Sequence, residues 1–122
     1  MTMLLFDNHN HSQFSFDGKR TSVEASSNAA ISLGLGGICF TDHCDFFVPP
    51  VKASFEESSP ETFDINAQQA EIDRVRASIH AKGQQLKILK GIEIGMYESS
   101  HEEILRTLRE NTFDQVIASV HY

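Results

Sequence analysis

With 122 residues, 40% of them hydrophobic and 22% charged, and with 7 Gly and 3 Pro, the chain has room for one domain around one core; domains of this size bury about two-thirds of the surface their unfolded chains expose. That composition excludes a disordered, repetitive or fibrous protein. Lys+Arg 10 against Asp+Glu 17 give a formal charge of −7, which argues against a nucleic-acid-binding surface, because such surfaces cluster positive charge.

Residues Met1 to Asp7 are apolar at first but lack a basic segment and run straight into polar residues, so they read as neither a signal peptide nor a membrane span. Strands are predicted over Met3 to His9, Gly37 to Thr41, Leu86 to Met96 and Asp114 to Tyr122. Helices are predicted between them, over Thr21 to Leu33, Pro60 to Lys82 and Ser100 to Glu110. The runs Gly37-Ile-Cys-Phe40 and Val116-Ile-Ala-Ser-Val120 are continuous rather than alternating, as expected of a parallel sheet covered by helices. The βαβαβαβ order predicts an α/β layer fold or barrel.

Local signals support these elements. Thr21-Ser-Val-Glu24 fits a capping box, as does Ser99-Ser-His-Glu102 or the same pattern one residue later, and Ser59 before Pro60 suits the start of the middle helix. Gly34, Gly36 and Gly83 stand where helices should end. Ile65, Ile72, Val75 and Ile79 form one apolar stripe, so the middle helix reads as packing rather than chemistry. Cys44 to Ser59 has no periodicity but carries Phe46, Phe47 and Phe55, and leaves a strand end where a lid or substrate wall belongs. Cys39 and Cys44 form neither a disulfide framework nor a CxxC site, which fits a reducing cytoplasm. Cys44 has no general base beside it in sequence and reads as an inert buried thiol.

Hard-ligand side chains fall at the end of every predicted strand: His9 and His11, then Asp42 and His43, then Glu93, then His121. In parallel α/β folds the carboxyl ends of strands converge on one site. Alternate residues of an extended chain share a face, so His9-Asn-His11 sets two imidazoles side by side. Imidazole with carboxylate suits zinc, manganese or iron better than magnesium or calcium. Asp42 reads as a partner that orients an imidazole rather than as a ligand. His80, near a helix end, and His101, grouped with Ile104, Leu105 and Leu108, read as structural.

His9-Asn-His11-Ser with Ser15 and Asp17-Gly18, Thr41-Asp42-His43, Gly91-Ile92-Glu93 and Ser119-Val120-His121 resemble, in order, the first four motifs of the polymerase-and-histidinol-phosphatase (PHP) superfamily, and most closely its histidinol-phosphatase branch. The resemblance implies a distorted (β/α)7 TIM-like barrel with a trinuclear centre of divalent metals, zinc, manganese or iron. It implies that His9, His11 and Glu93 hold one metal, that Glu93 bridges to a second that also takes His121, and that Asp17 with His43 holds a third. Asp17 fills a position that is His in some relatives. About four of the β/α units are present, so residues 1–122 are expected to be the N-terminal part of a single PHP domain, with the rest of the barrel absent.

The implied activity is a metal-dependent phosphomonoesterase, histidinol-phosphate phosphatase of histidine biosynthesis. Its nucleophile would be a metal-bound hydroxide held by His9, His11, Glu93 and His121, with Phe46 and Phe47 toward the substrate. The expected partner is a small phosphorylated substrate in the cytoplasm, with no nucleic acid and no membrane. Another PHP phosphoesterase, such as a polymerase-associated exonuclease, should show a basic groove, whereas this chain is acidic. A metal-dependent amidohydrolase also opens with HxH, but the TDH and GIE motifs argue against it. The non-enzyme alternative is an inactive truncated fragment that self-associates through uncovered sheet edges. Residues 1–122 alone are in any case expected to be inactive.

Overall fold

A computed structural model describes residues 4–46 and 63–120. Its strands are β1 (Phe6–Asn10), β2 (Gly37–Phe40), β3 (His43–Cys44), β4 (Lys87–Gly95) and β5 (Gln115–Ser119), and its helices are α1 (Val23–Ser32), α2 (Ile65–Ala81) and α3 (His101–Glu110), the last preceded by a 3-10 turn at Glu98–Ser100. Among the described residues every strand pairing is parallel. The α/β alternation expected from the sequence is present, with one refinement. Gly37 faces Lys87 and Phe40 faces Lys90, and the same register resumes where His43 faces Glu93 and Cys44 faces Ile94. β2 and β3 are therefore one strand line interrupted at Thr41 and Asp42.

β1 lies beside β2, and β5 pairs with the edge of β4 away from β2 and β3. In a flat sheet β1 and β5 would stand roughly 14 Å apart at about 4.8 Å per strand step, further than a glutamine side chain reaches. Yet Gln115 Nε2 donates to the Asn8 carbonyl at 3.1 Å. The sheet curls strongly, as part of a (β/α) barrel.

The helices pack on its convex side. Val23, Ala30, Ile38, Phe40, Ile72, Val75, Ile79 and Ile88 form one apolar cluster, and Cys44, Phe63, Ile92, Ile94 and Ile104 form another, with Ile65, Phe46 and Phe113 against it. The stripe expected on α2 is present except that Ile65 belongs to the second cluster and Gln68, fully buried, sits between the two. On α3 the buried residues are Ile104 and Thr107, while Leu108 is exposed.

Caps depart from expectation by a residue or more. Ser22, not Thr21, caps α1, its hydroxyl accepting from Ala25 N at 3.0 Å, while the Thr21 hydroxyl meets that of Ser26. α2 starts at Ile65 under Asp64, whose carboxylate accepts from Ala67 N at 3.0 Å; Ser59 and Pro60 lie outside the described residues. Ser100 stands at the N-cap of α3, and among the described residues its side chain makes no capping hydrogen bond. Gly34 and Gly83 end helices with φ of 74° and 70°, a conformation in which a Cβ is disfavoured. Gly36 instead joins the sheet, its N–H donating to Leu5 O at 2.8 Å. Among the described residues no helix is long and apolar enough to cross a membrane.

Candidate metal centre

The register of β1 against β2 shifts between Asp7 and Asn10, a bulge beneath the HxH motif; bulges re-aim side chains and are common beside active sites. The His9 and His11 rings lie 5.3 Å apart at 61°. Both turn toward Glu93, which is only 3% exposed: His9 Nε2 is 2.5 Å from Glu93 Oε1, and His11 Nε2 is 3.7 Å from the same oxygen. His43, facing Glu93 across the β3–β4 ladder, brings Nδ1 to 2.7 Å from Glu93 Oε2.

Asp17 arrives by a run of turns. Ser15 N–H donates to Ser12 O and Gly18 N–H to Ser15 O, each at 3.1 Å. The folded loop sets the Asp17 carboxylate 2.9 and 3.0 Å from His11 Nδ1 and 3.0 Å from His43 Nε2. Burial raises the Asp17 pKa, but the Ser15 hydroxyl and the His11 and His43 imidazoles outweigh it and hold the carboxyl below its ordinary value.

The residues named from the sequence thus form two donor groups, His9–His11–Glu93 and His11–Asp17–His43, each with its ligand atoms within 4.8 Å of one another. His11 stands between them, Nδ1 toward Asp17 and Nε2 toward Glu93. Its Nε2 is buried and has no hydrogen-bond partner among the described residues, which usually costs free energy unless a cation or water takes the lone pair. The nitrogen and carboxylate donors fit a divalent transition metal. His121 and Phe47 lie outside the described residues.

Asp42, expected to orient an imidazole, touches none among the described residues; its carboxylate accepts from Ser12 N at 2.5 Å, Ser12 Oγ at 2.7 Å and Gln68 Nε2 at 2.9 Å. It therefore anchors the turn that follows His11. Ser15 does the same for His43, accepting from its backbone N–H at 3.1 Å. Phe46, expected to face substrate, packs on the second apolar cluster.

Sequence reading also missed neighbours. Phe16 stacks on His43 at 5.0 Å and 25°, and Asp45 lies 3.6 Å from His43 Nδ1 while accepting from Tyr97 OH at 3.3 Å. None carries a periodic signal. Gln68 does, as a polar residue on an apolar stripe. His80 lines a cavity of about 650 Å³ with Leu4, Phe6 and Lys87, at the opposite end of the strands. His101 is exposed at the start of α3.

A family profile described as PHP domain matches residues 7–122. The chain belongs to the PHP-domain family. It is similar to a histidinol-phosphatase of Lactococcus lactis, 37% identical over 119 residues, and to a probable histidinol-phosphatase of Clostridium acetobutylicum, 33% identical over 118. These alignments take in 98% and 97% of the chain but 40% of each relative. Among solved structures it resembles histidinol phosphate phosphatase from Lactococcus lactis in complex with zinc, L-histidinol and phosphate, with a TM-score of 0.81, 30% identity, and coverage of 99% of this chain and 41% of that one. The PHP chain thus spans about two-fifths of the length of these relatives.

Proposed function

We propose that the protein is a metal-dependent phosphomonoesterase that hydrolyses L-histidinol phosphate, a step of cytoplasmic histidine biosynthesis. The observation that carries this reading is the convergence of His9, His11, Asp17, His43 and Glu93 at one end of the sheet. Its likeness to a histidinol phosphate phosphatase holding zinc, L-histidinol and phosphate supports the substrate. Residues 1–122 would be the N-terminal part of a single PHP domain, with His121 added to the ligand set on resemblance.

Divalent cations seated on these ligands would supply positive charge against phosphate oxygens and bring the pKa of water near neutrality. The chain's own residues prepare the place. His9 and His43 flank the buried Glu93 carboxylate, and Asp17, ionised at neutral pH, adds negative charge between two imidazoles. The phosphate dianion would be repelled by these carboxylates alone, so the reading requires the metals.

The test is phosphate release from L-histidinol phosphate by the full-length protein with zinc, manganese or iron, and after chelation. Turnover abolished by chelator and restored by metal is expected. Turnover of single-stranded DNA but not of the monoester would transfer the protein to the exonuclease type. Residues 1–122 alone are expected to turn over far more slowly, and Leu5, Phe6, Val116 and Val120, exposed along the edge strands, favour self-association of that piece.

A further inference from the structure

We infer that Gln68, on the helix behind the sheet, is a positioning residue that holds the His11–Asp17 side of the metal centre through Asp42. This inference rests on the metal-centre reading above. Gln68 is fully buried, though glutamine seldom is. It sits where the β2–β3 line is broken at Thr41 and Asp42. Its Nε2 donates to Asp42 Oδ2 at 2.9 Å and to Gly91 O at 3.3 Å, and approaches Phe40 O at 3.5 Å. The side chain therefore supplies donors to carbonyls beside the gap in the ladder.

The amide has one tenable orientation. Turned over, Oε1 would face a carboxylate and two carbonyls, three acceptors with no proton between them. In the orientation present, Oε1 is buried with no hydrogen-bond partner among the described residues. Such a polar group on an apolar stripe costs free energy that an apolar side chain of the same volume would not. Packing therefore does not account for it; what it gains is the contact with Asp42.

From Asp42 the chain of contacts runs to the ligands. Asp42 is fully buried, and among the described residues no basic side chain meets it and its donors are Ser12 N, Ser12 Oγ and Gln68 Nε2. Ser12 follows His11 directly, and its carbonyl starts the turns that deliver Asp17 to His11 and His43. Without Gln68 the carboxylate would lose one of three donors in a site closed to water, and its hold on Ser12 would shift with it.

The test compares Gln68→Met, which keeps volume and removes the donor, with Gln68→Glu, which sets an acceptor against the same three acceptors, in the full-length protein. Zinc affinity by chelator competition, hydrogen exchange of amides 12–18 in the metal-free protein, and thermal unfolding are measured together. Gln68→Met is expected to lower zinc affinity about tenfold, the scale of lost partners around a metal ligand, and to speed exchange at Ser12, with metal-free unfolding little changed. Combined with Asp42→Asn it should add less than the product of the two single effects. Unchanged affinity and exchange in Gln68→Met, or full additivity with Asp42→Asn, would overturn the inference. Should the wild type bind no zinc, the metal-centre reading fails, and exchange at Ser12 alone decides whether Gln68 holds the turn. Gln68→Glu should exceed Gln68→Met in exchange, because it adds repulsion at Asp42 to the lost donor; a smaller effect of Gln68→Glu than of Gln68→Met would count against the inference.

Discussion

Glu93 and His43 face each other on adjacent parallel strands, with His43 Nδ1 2.7 Å from Glu93 Oε2, while His9 from the other side of the cluster brings Nε2 to 2.5 Å from Oε1. One buried carboxylate is thus gripped at both oxygens by imidazoles from two different strands. A site built on the ladder register itself has little freedom to rearrange, because slipping one residue would turn Glu93 to the other face.

Glu93→Gln should therefore leave the fold in place and remove the anion of the His9–His11–Glu93 group, which His43 of the other group also contacts. Metal content after dialysis and kcat/KM on L-histidinol phosphate are the readouts for the full-length protein. A loss of at least about a hundredfold in activity is expected, since a ligand should cost no less than the groups that merely support one. Retained activity with full metal content would remove Glu93 from the site.

Asp17 gives a pH dependence whose sign follows from its lowered pKa. The unfolded chain binds the proton more readily than the folded one, so Asp17 stabilises the metal-free protein at neutral pH and that contribution is lost as pH falls below its ordinary value of 3.8. The denaturant midpoint of wild type should exceed that of Asp17→Asn near neutral pH, and the gap should close in the acid range. A gap that is constant down to about pH 2 would contradict the arrangement. The carboxylate is 38% exposed, so solvent screening keeps the effect small.

The turn that delivers Asp17 makes a sharper demand at Gly18. A Cβ there would collide with the Ser12 carbonyl, and Ser12 is pinned by Asp42. Gly18→Ala should open the turn and weaken metal binding at the Asp17 group at least about tenfold, leaving the His9–His11–Glu93 group less affected. Gly34→Ala is the control: it meets nothing within 4 Å but has φ of 74°, so it should cost about 1 kcal/mol of stability and no metal affinity. Equal loss at both groups in Gly18→Ala would show that the turn is not specific to Asp17.

Why the candidate ligands were legible in the sequence and their supports were not is a matter of distance along the chain. His9, His11, His43 and Glu93 carry hard-donor side chains at the ends of apolar runs, and the parallel strand rule brings such positions together whatever the loops do. Asp42 was legible as important but not in its partner, because nothing local says that Ser12 folds back 30 residues to meet it. Gln68 lies 26 residues from Asp42 on a helix whose apolar period hides it. Cap positions slipped for a different reason: Thr21 and Ser22 are both competent caps, and the hydroxyl contact with Ser26 decides between them.

The two cysteines should be silent in the native protein. Burial, with Asp114 added, pushes the Cys39 thiol up to about 11, and burial with Asp45 pushes Cys44 up to about 12. The thiolate is the reactive form, so almost none is present at pH 8. Iodoacetamide at that pH should leave both unmodified in the folded protein and alkylate both after denaturation, read by mass spectrometry. Rapid native labelling of Cys44 would contradict the packing around β3.

Phe46 separates a core role from a substrate role. The sequence suggested a wall for substrate because the residue leaves a strand just after His43, yet its ring packs beside Cys44, Phe63, Ile92, Ile94 and Ile104. Half-buried there, it should contribute less than a fully buried phenylalanine, whose truncation costs about 3–5 kcal/mol. Phe46→Ala is expected to lower stability by about 1–3 kcal/mol, measured by urea unfolding of the full-length protein, on the scale of apolar area removed. With the ligands untouched, KM for L-histidinol phosphate should stay within about twofold. The opposite pattern, a KM raised about tenfold with an unchanged urea midpoint, would mean that the ring meets substrate and that its contacts with the second apolar cluster add little.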